Sequence, residues 1–461
     1  MPVRAAFMVP HPPLIIPEVG KGGEAQIEET TRAYEQAADE IAALKPDTII
    51  ITSPHALMYA DYFHISPGDG ASGSFSQFGA PQVRFSESYD SELVKRICVL
   101  AERENFPAGT LGEKSPRLDH GTMVPLWFIR KKYASGKIVR IGLSGLPLSD
   151  HYRLGELIRD AVEDLGRNAV LIASGDLSHK LQPYGPYGFA PEGPDYDRRI
   201  IDVSRRAAFG ELLEFDESFC EKAAECGHRS FVIMAGAFDG LGVESAVLSH
   251  QDVTGVGYGI CSFYPKETDD TRHFLQQYLA RQEEECRRKA EQSDAYVKLA
   301  RAALESWVLY RKRLACPSAL PEEMLAKRAG TFVSVHKDGQ LRGCIGTIAA
   351  TQDSIAEEII ENAISASSRD PRFSPITAAE LSHLEISVDV LGETEEIASP
   401  KELDVKRYGV IVTHGRKRGL LLPNLDGVDS VEDQLRIARR KAGIRESESV
   451  KLERFEVVRH T

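Results

Sequence analysis

The sequence predicts an α/β domain, with a mostly parallel sheet flanked by helices, followed by a smaller α+β domain. Over residues 1–265, short apolar runs without alternation are separated by longer amphipathic runs, the pattern of strands covered on both faces. Residues 266–292 are charged, helical in pattern and free of glycine, so they are interpreted as a linker. Residues 293–461 mix helices and strands. A length of 461 residues also favours more than one domain.

The first domain is predicted to contain five buried strands. Their sequences are "RAAFMV", "DTIIITS", "KIVRIGLS", "NAVLIAS" and "SAVLSHQ". Helical patterns precede the second and fourth strands. Two long loops, "SPGDGASGSFSQFGAPQVRFS" and "QPYGPYGFAPEGPDYD", are typical of lids or binding loops, and Tyr184 and Tyr187 in the second loop suggest an aromatic pocket.

The second domain is predicted to begin with a helix near Ser293. A strand "GTFVSVHKDGQLRGCIG", a helix "SIAEEIIENAISASS" and a strand "LEISVDVLG" follow it. The chain then continues with a hairpin "GVIVTHGRKRGLLLP", a helix "VEDQLRIARRKAG" and a final strand "VKLERFEVVRH".

Composition excludes several classes of protein. A net charge of −13 argues against a nucleic-acid binder, which normally needs a basic surface. No run approaches the roughly 18–20 apolar residues of a membrane span, and the first residues lack the pattern of a signal peptide. The seven cysteines are scattered without a CxxC pair, which is typical of a reducing compartment, so a cytoplasmic protein is expected.

Polar side chains follow three of the predicted strands. His11 follows the first in "VPHPP", His55 follows the second in "TSPHAL", and Asp176 and His179 follow the fourth in "ASGDLSH". In an open α/β sheet, ligands bind beyond the carboxyl ends of the strands. One such histidine would be an ordinary turn residue. Two in the same context, with a third polar cluster, predict a metal or catalytic site.

The residue types favour a divalent metal held by two neutral imidazoles and one anionic ligand. Such a set on one face leaves positions open and suits non-haem Fe(II) and oxygen. His120, in "RLDHGTMVPLWFI", and His179 would then move protons near the metal. A further segment, with Glu225, Cys226 and His228, precedes an apolar helix pattern whose start would favour an anionic ligand.

Four motifs carry a resemblance to a known family. "MVPHPPL", "ITSPHA", "LDHGTMVPL" and "ASGDLSH", in this order, resemble the class III extradiol ring-cleaving dioxygenases of the LigB type and the Memo proteins that share their fold. The resemblance implies a catechol-like substrate, O2, and Fe(II) held by His11, His55 and an acidic third ligand. It also implies that His179, near Asp176, deprotonates the substrate and that His120 helps to bind or protonate it.

The third ligand is left open by the sequence. The dioxygenases use a glutamate, whereas Memo-like proteins have a cysteine in the equivalent region, and here Glu225 and Cys226 are adjacent. Glu225 is preferred if the protein is an oxygenase. Cys226 would make a softer site that suits copper or zinc.

The second domain resembles the AMMECR-type domain through "QLRGCIGT" and "SSRDPRFSPI". Arg342, Arg369, Asp370 and Arg372 are candidates for a polar groove, and Cys344 is a candidate nucleophile. The alternative is that "RGCIG" forms a tight strand or turn with a buried cysteine. The two domains together resemble the AmmeMemoRadiSam system A proteins, which implies a radical-SAM partner protein.

Two functions compete at this point. The first is a metal-dependent, dioxygenase-like oxidoreductase that opens a catechol-like ring. The second is a metal-binding or partner-docking module, without ring cleavage, that holds copper or iron. A zinc hydrolase is a third reading, since three ligands and an open water position are compatible with it. A homo-oligomer is compatible with the sequence.

Overall fold

The computed structural model describes residues 3–114, 117–337, 339–425 and 427–461. The chain divides into two compact units, Met1–Leu279 and Ala280–Thr461. Within the described residues, each helix is either too short or too polar to cross a lipid bilayer.

The first unit alternates strands and helices. Its strands are β1 Val3–Val9, β2 Thr48–Ser53, β3 Phe63–His64, β4 Gly70–Phe75, β5 Ala80–Ser88, β6 Ala108–Gly109, β7 Lys137–Gly142, β8 Ala169–Ser174, β9 Leu241–Gln251 and β10 Tyr258–Thr268. Its helices are α1 Pro17–Gly20, α2 Glu28–Leu44, α3 Ser91–Arg103, α4 His120–Lys132, α5 Leu148–Asp164, α6 Glu192–Arg206, α7 Glu217–Ala223 and α8 His228–Gly236, and α9 Phe274–Gln292 continues into the second unit.

A six-stranded sheet organises the first unit, in the order β7-β2-β8-β1-β10-β9. The first four strands are parallel, and β10 and β9 are antiparallel to their neighbours. Alternate residues of β1 enter two different apolar cores: Ala6 and Met8 enter one, and Phe7 and Val9 enter the other. Both faces of the sheet are therefore covered, and the prediction of a mostly parallel α/β sheet is confirmed.

The carboxyl ends of three strands lie side by side in this sheet. Strand β8 pairs with β1 up to Val9 and Ser174, and with β2 up to Thr52 and Ala173. The loops that leave β1, β2 and β8 therefore start at one edge of the sheet, where a ligand site is expected. Strand β10, which the sequence patterns did not single out, extends the sheet on the other side of β1.

The second unit is an antiparallel sheet with helices. Its strands are β11 Thr331–Lys337, β12 Gln340–Gly346, β13 Leu384–Leu391, β14 Glu395–Ile397, β15 Tyr408–His414, β16 Lys417–Leu421 and β17 Lys451–His460. Its further helices are α10 Ala295–Tyr310, α11 Glu322–Ala326, α12 Ile355–Ser368 and α13 Val431–Lys441. The sheet order is β12-β11-β13-β17-β15-β16, with β14 paired to β17. This agrees with the predicted α+β class.

One sequence prediction in the second unit is wrong. The segment "GTFVSVHKDGQLRGCIG", predicted as one strand, forms two, β11 and β12, which pair as a hairpin. Lys337 and Gln340 are cross-strand partners, so the turn between them has two residues. Gly339 has a φ of +75°, a conformation that glycine adopts readily and that two-residue hairpin turns require. Asp338 lies outside the described residues.

Candidate metal centre

Three potential metal ligands converge at the carboxyl edge of the first sheet. His11 follows β1 and is buried, His55 follows β2 and is exposed, and Cys226 lies between α7 and α8. The Nε2 atoms of His11 and His55 are 3.0 Å apart, and Cys226 Sγ is 3.6 Å from His11 Nε2. The three donor atoms lie within 4.8 Å of one another. One side of the group is open to solvent, because His55 is exposed.

The orientation of the His11 ring is set by Ser174, the last residue of β8. The Ser174 hydroxyl donates to the Gly121 carbonyl oxygen at 2.6 Å and lies 3.0 Å from His11 Nδ1. A hydroxyl has one proton, so Ser174 Oγ accepts a hydrogen bond from Nδ1–H of His11. The Nε2 lone pair of His11 is then directed at His55 and Cys226, as a metal ligand requires.

Asp176 links the loop after β8 to the loop after β1 and to the segment before α8. Its Oδ1 accepts a hydrogen bond from the His11 amide at 2.7 Å, and its own amide donates to Cys226 Sγ at 3.3 Å. Two glycines make this approach possible, since a Cβ atom on Gly175 would lie 2.0 Å from Gly227 Cα. Asp176, His179 and Cys226 form a second group of potential ligands that shares the cysteine.

Burial favours the neutral forms of His11, His55 and His120. Burial lowers the pKa of His11, and the part of the His55 ring that is withdrawn from solvent, together with repulsion from His11, lowers the pKa of His55 to about 4. The pKa of His120 is likewise lowered to about 4, by burial and then by His55 and His11. A neutral imidazole is the form that binds metals.

The donor set fits a metal ion. At metal–nitrogen distances of about 2.1 Å, two nitrogens 3.0 Å apart can share one ion. Burial raises the pKa of the Cys226 thiol well above its ordinary range, so metal binding would release its proton. Two imidazoles and one thiolate are borderline-soft ligands that accept iron, zinc or copper.

Glu225 has a different position from Cys226. Its carboxylate accepts a hydrogen bond from the His228 amide at 2.6 Å, at the first residue of α8. Burial raises the pKa of Glu225, and the His228 amide opposes that rise. Among the described residues, the group that joins His11 and His55 contains Cys226 and does not contain Glu225. The structure therefore places the Cys226 thiol, and not the Glu225 carboxylate preferred for an oxygenase, beside the two histidines.

The two histidines expected to move protons lie beside this group. His120 is the first residue of α4, which Asp119 caps by accepting a hydrogen bond from the Thr122 amide. Its ring centroid lies 4.0 Å from that of His55 and 5.4 Å from that of His11. His179 Nε2 lies 3.8 Å from Asp176 Oδ2.

The charge of Asp176 complements His179. Burial raises the pKa of this carboxyl, but its interactions with His11 and His179, including a hydrogen bond from each, outweigh burial and leave the pKa below its usual range.

His228 does not join the metal group. Its Nε2 donates to the Leu212 carbonyl oxygen at 2.9 Å, and the residue is buried. Burial lowers its pKa to about 4. This histidine joins the start of α8 to the chain before α7, so its role is to hold the two segments together.

The candidate residues of the second unit are each paired with a neighbouring group. Arg342 donates to Glu380 at 2.7 Å and to the Ser374 carbonyl at 2.9 Å. Asp370 accepts from the Cys344 amide at 2.9 Å and from Arg372. Arg369 forms an ion pair with Glu361, and the Ser334 hydroxyl lies 3.2 Å from Cys344 Sγ. The predicted polar groove is a network of mutual ion pairs and hydrogen bonds.

Three residues of the metal centre have no role assigned from the sequence. In the sequence, Ser174 is only the last residue of a predicted strand. A hydroxyl side chain directly before "GD" at a strand end could have indicated a role in the site. Phe78, on the turn between β4 and β5, lies edge-on to His120 at 5.3 Å. Tyr187, noted only as a lid residue, stacks on His179 with ring centroids 5.0 Å apart. The contacts of these three residues form only in the folded chain, so local sequence patterns do not predict them.

Comparison with known proteins assigns both halves of the chain. A family model described as the catalytic LigB subunit of aromatic ring-opening dioxygenase matches residues 5–261. The chain belongs to the LigB family. A second family model, AMMECR1, matches residues 297–460, so a LigB domain is followed by an AMMECR1 domain and both resemblances drawn from the motifs are confirmed.

Relatives match the whole chain or one of its domains. A protein of Clostridium acetobutylicum is 42% identical over 100% of this chain and 99% of its own length. A Thermotoga maritima protein is 49% identical over 36% of this chain and 96% of its own length. The beta subunit of 2-aminophenol 1,6-dioxygenase from a Pseudomonas species is 26% identical over 56% of this chain and 92% of its own length. The LigB domain thus belongs to a superfamily that contains aromatic ring-opening dioxygenases.

Proposed function

We propose that this LigB-family chain is an Fe(II)-dependent dioxygenase that opens an aromatic ring bearing two adjacent polar groups. The observation that carries the proposal is the convergence of His11, His55 and Cys226, with their donor atoms within 4.8 Å, beside the imidazoles of His120 and His179. A metal-ligand group flanked by proton-transfer groups is what oxidative opening of a phenolic ring needs.

His11, His55 and Cys226 would hold the iron. When bound, ferrous iron would supply open coordination positions for the substrate and oxygen, together with the capacity to exchange electrons between them. The protein holds these ligands ready: Ser174 fixes the His11 tautomer, and the hydrogen bond from the Asp176 amide orients the Cys226 sulfur.

His179 is the proposed base. Its Nε2 accepts the proton of a ring hydroxyl, and the Asp176 carboxylate, 3.8 Å away, stabilises the resulting imidazolium. His120 remains neutral because its pKa is about 4. It therefore donates a hydrogen bond to a polar group of the ring and does not compete with His179 for the proton.

Aromatic side chains support a flat substrate. Tyr187 stacks on the His179 ring and is 60% exposed, and Phe78 lies edge-on to His120. Rings at these positions would favour an aromatic ligand between the two histidines. The name of the Pseudomonas relative points to 2-aminophenol, so catechols and 2-aminophenols are the substrates proposed.

Cys226 favours a second candidate function. A thiolate in place of a carboxylate makes the site softer and better suited to copper. The protein would then be a metal-binding module that keeps the LigB fold without opening a ring.

One experiment separates the two candidates. The protein is loaded with Fe(II) without oxygen, mixed with a panel of catechols and 2-aminophenol, and exposed to oxygen while oxygen uptake and product absorbance are recorded. We expect a ring-opened product, and we expect His179→Ala to lower its rate at least about 100-fold with unchanged iron content. His273→Ala, which alters an imidazole paired with Asp239, is the control. Tight copper binding that needs Cys226, with no product from any ring, would establish the second candidate.

A further inference from the structure

Asp197 is a buried acid that lies behind the metal centre. It belongs to α6 and is 2% exposed. Its Oδ1 accepts a hydrogen bond from the Ser178 amide at 2.9 Å, and its Oδ2 accepts one from His250 Nε2 at 2.7 Å. Ser178 lies between Asp176 and His179, so this carboxylate holds the backbone that carries both side chains.

The 176–179 segment is anchored on several sides. The Leu177 amide donates to the Gly257 carbonyl at 2.9 Å, and the Gly257 amide donates to the Ser178 carbonyl at 2.8 Å. The Ser178 hydroxyl donates to the Ala223 carbonyl at 2.7 Å. All of these partners are main-chain groups, whereas Asp197 is a side chain whose own position depends on a further residue, His250.

The surroundings of Asp197 are shaped to admit its carboxylate. A Cβ atom on Gly257 would lie 2.0 Å from Asp197 Oδ2, so a side chain there would displace the acid. On the outer side, Asp197 and His250 line a cavity of about 560 Å³ with Arg198, Arg205 and Asp252. The His250 side chain is 32% exposed, so the imidazole is the solvent-facing member of the pair.

We propose that Asp197 and His250 are positioning residues for the Asp176–His179 pair, and that His250 sets the orientation of His179 from outside the metal centre. This inference rests on the proposed function for its effect on turnover. Its structural part, that His250 controls the 176–179 segment through Asp197, stands without that function.

The orientation of a buried carboxylate depends on how many hydrogen bonds it accepts. With both partners, each oxygen of Asp197 accepts a hydrogen bond and the acid has one stable orientation. Without His250, one buried oxygen loses its donor, and the carboxylate gains by turning toward water or by taking up a proton. Either change weakens its hold on the Ser178 amide and so loosens His179.

The test compares His250→Leu with its rescue and a matched control. His250→Gln retains an N–H donor on a side chain that can reach Asp197. His273→Leu is the control, because His273 makes the same kind of contact with a buried aspartate of this unit, Asp239, at 2.8 Å. The full chain is loaded with Zn(II), and the ring signals of His179 are followed by NMR, assigned with His179→Gln.

We expect His250→Leu to shift or broaden the His179 ring signals, His250→Gln to restore them, and His273→Leu to leave them unchanged. Zinc affinity should stay within about twofold, because the ligands are untouched. Unchanged His179 signals in His250→Leu would overturn the proposal. So would an equal change in His273→Leu, which would indicate general loss of stability.

A second variant and a kinetic readout extend the test. Asp197→Asn keeps an acceptor for the Ser178 amide but presents an NH2 group to His250, and it should also shift the His179 signals. With Fe(II) and a substrate that wild type turns over, kcat of His250→Leu should fall about tenfold. If wild type opens no ring, the proposed function fails, while the NMR comparison still decides the positioning role.

Discussion

The metal centre of the first unit and the "RGCIG" region of the second are both rich in polar side chains, but their side chains have different partners. In the first, lone-pair donors face one another, with His11 and His55 nitrogens 3.0 Å apart and Cys226 close by. In the second, opposite charges pair: Arg342 binds Glu380, and Asp370 binds Arg372.

The difference lies in what each cluster needs in order to be stable. Groups of opposite charge satisfy each other, so the second cluster is complete without a ligand. Atoms that each present a lone pair do not stabilise one another when they are close. A cation that lies between them stabilises the group. A polar motif therefore indicates a binding site only when its side chains leave a common partner missing.

The largest effect should come from removing a metal ligand. His55→Ala or Cys226→Ala deletes one donor from the converging group, so metal affinity should fall at least about 100-fold. Titration of the metal-free protein with Zn(II) measures the change.

The second cluster supplies the control for this titration. Cys344→Ala removes a thiol that accepts a hydrogen bond from the Ser334 hydroxyl and keeps the backbone amide that donates to Asp370. Zinc affinity should not change in this variant. Equal losses in Cys226→Ala and Cys344→Ala would mean that the contrast between the two clusters is wrong.

The next largest effect is expected where the loop after β8 approaches the segment before α8. Gly175→Ala places a Cβ atom 2.0 Å from Gly227 Cα and forces apart the loops that carry Asp176 and Cys226. We expect a loss of about 3 kcal/mol in the free energy of unfolding, together with weaker metal binding. Denaturant titration and zinc titration measure the two effects. A variant with normal zinc affinity would show that the separation of these loops does not set the site.

A smaller effect is expected from the hydroxyl that fixes the His11 tautomer. Ser174→Ala removes the acceptor of the His11 Nδ1–H hydrogen bond, and zinc affinity should fall about tenfold. Ser334→Ala, which removes the hydroxyl beside Cys344, is the matched change in the second unit and should leave zinc affinity unaltered. If both variants bind zinc like wild type, the His11 tautomer is fixed by something other than Ser174.

The smallest effect concerns acid stability of the second cluster. Hydrogen bonds from Arg372 hold the pKa of Asp370 well below its usual value near 3.8. A lowered folded-state pKa stabilises the fold above that usual value and loses the contribution as the pH falls through the folded-state value. The second unit should therefore lose stability below about pH 4.

Asp370→Asn tests this dependence. It should cost about 1–2 kcal/mol at pH 7 and flatten the loss of stability at low pH. Trp307 is the sole tryptophan in the sequence of the second unit, so fluorescence of a Trp127→Phe background reports unfolding there. An unchanged pH profile in Asp370→Asn would assign the acid sensitivity to other groups.

Much of the first unit could be predicted from local patterns. Buried apolar runs located β1, β2, β7 and β8, and the rule that ligands lie beyond strand ends correctly grouped His11, His55 and Asp176 at one edge of the sheet. The Asp-Gly turn signal in "KDGQ" indicates the hairpin of β11 and β12, although the apolar pattern around it predicts a single strand.

Other features could not be predicted because they depend on distant contacts. Glu225 and Cys226 are neighbours in sequence, and only the start of α8 decides that one caps a helix while the other faces the histidines. The Asp197–His250 pair joins residues 53 positions apart and has no motif. Both outcomes depend on how helices and loops pack around the sheet.

The central claim is that Cys226, together with His11 and His55, binds the metal ion, and the identity of the third ligand can be measured directly. X-ray absorption at the zinc edge of the zinc-loaded full chain reports the atoms bound to the ion. We expect nitrogen scatterers from two imidazoles and one sulfur, with the sulfur lost in Cys226→Ala and retained in Glu225→Gln. A spectrum of wild type without sulfur, or one that changes in Glu225→Gln and not in Cys226→Ala, would contradict a site built from His11, His55 and Cys226.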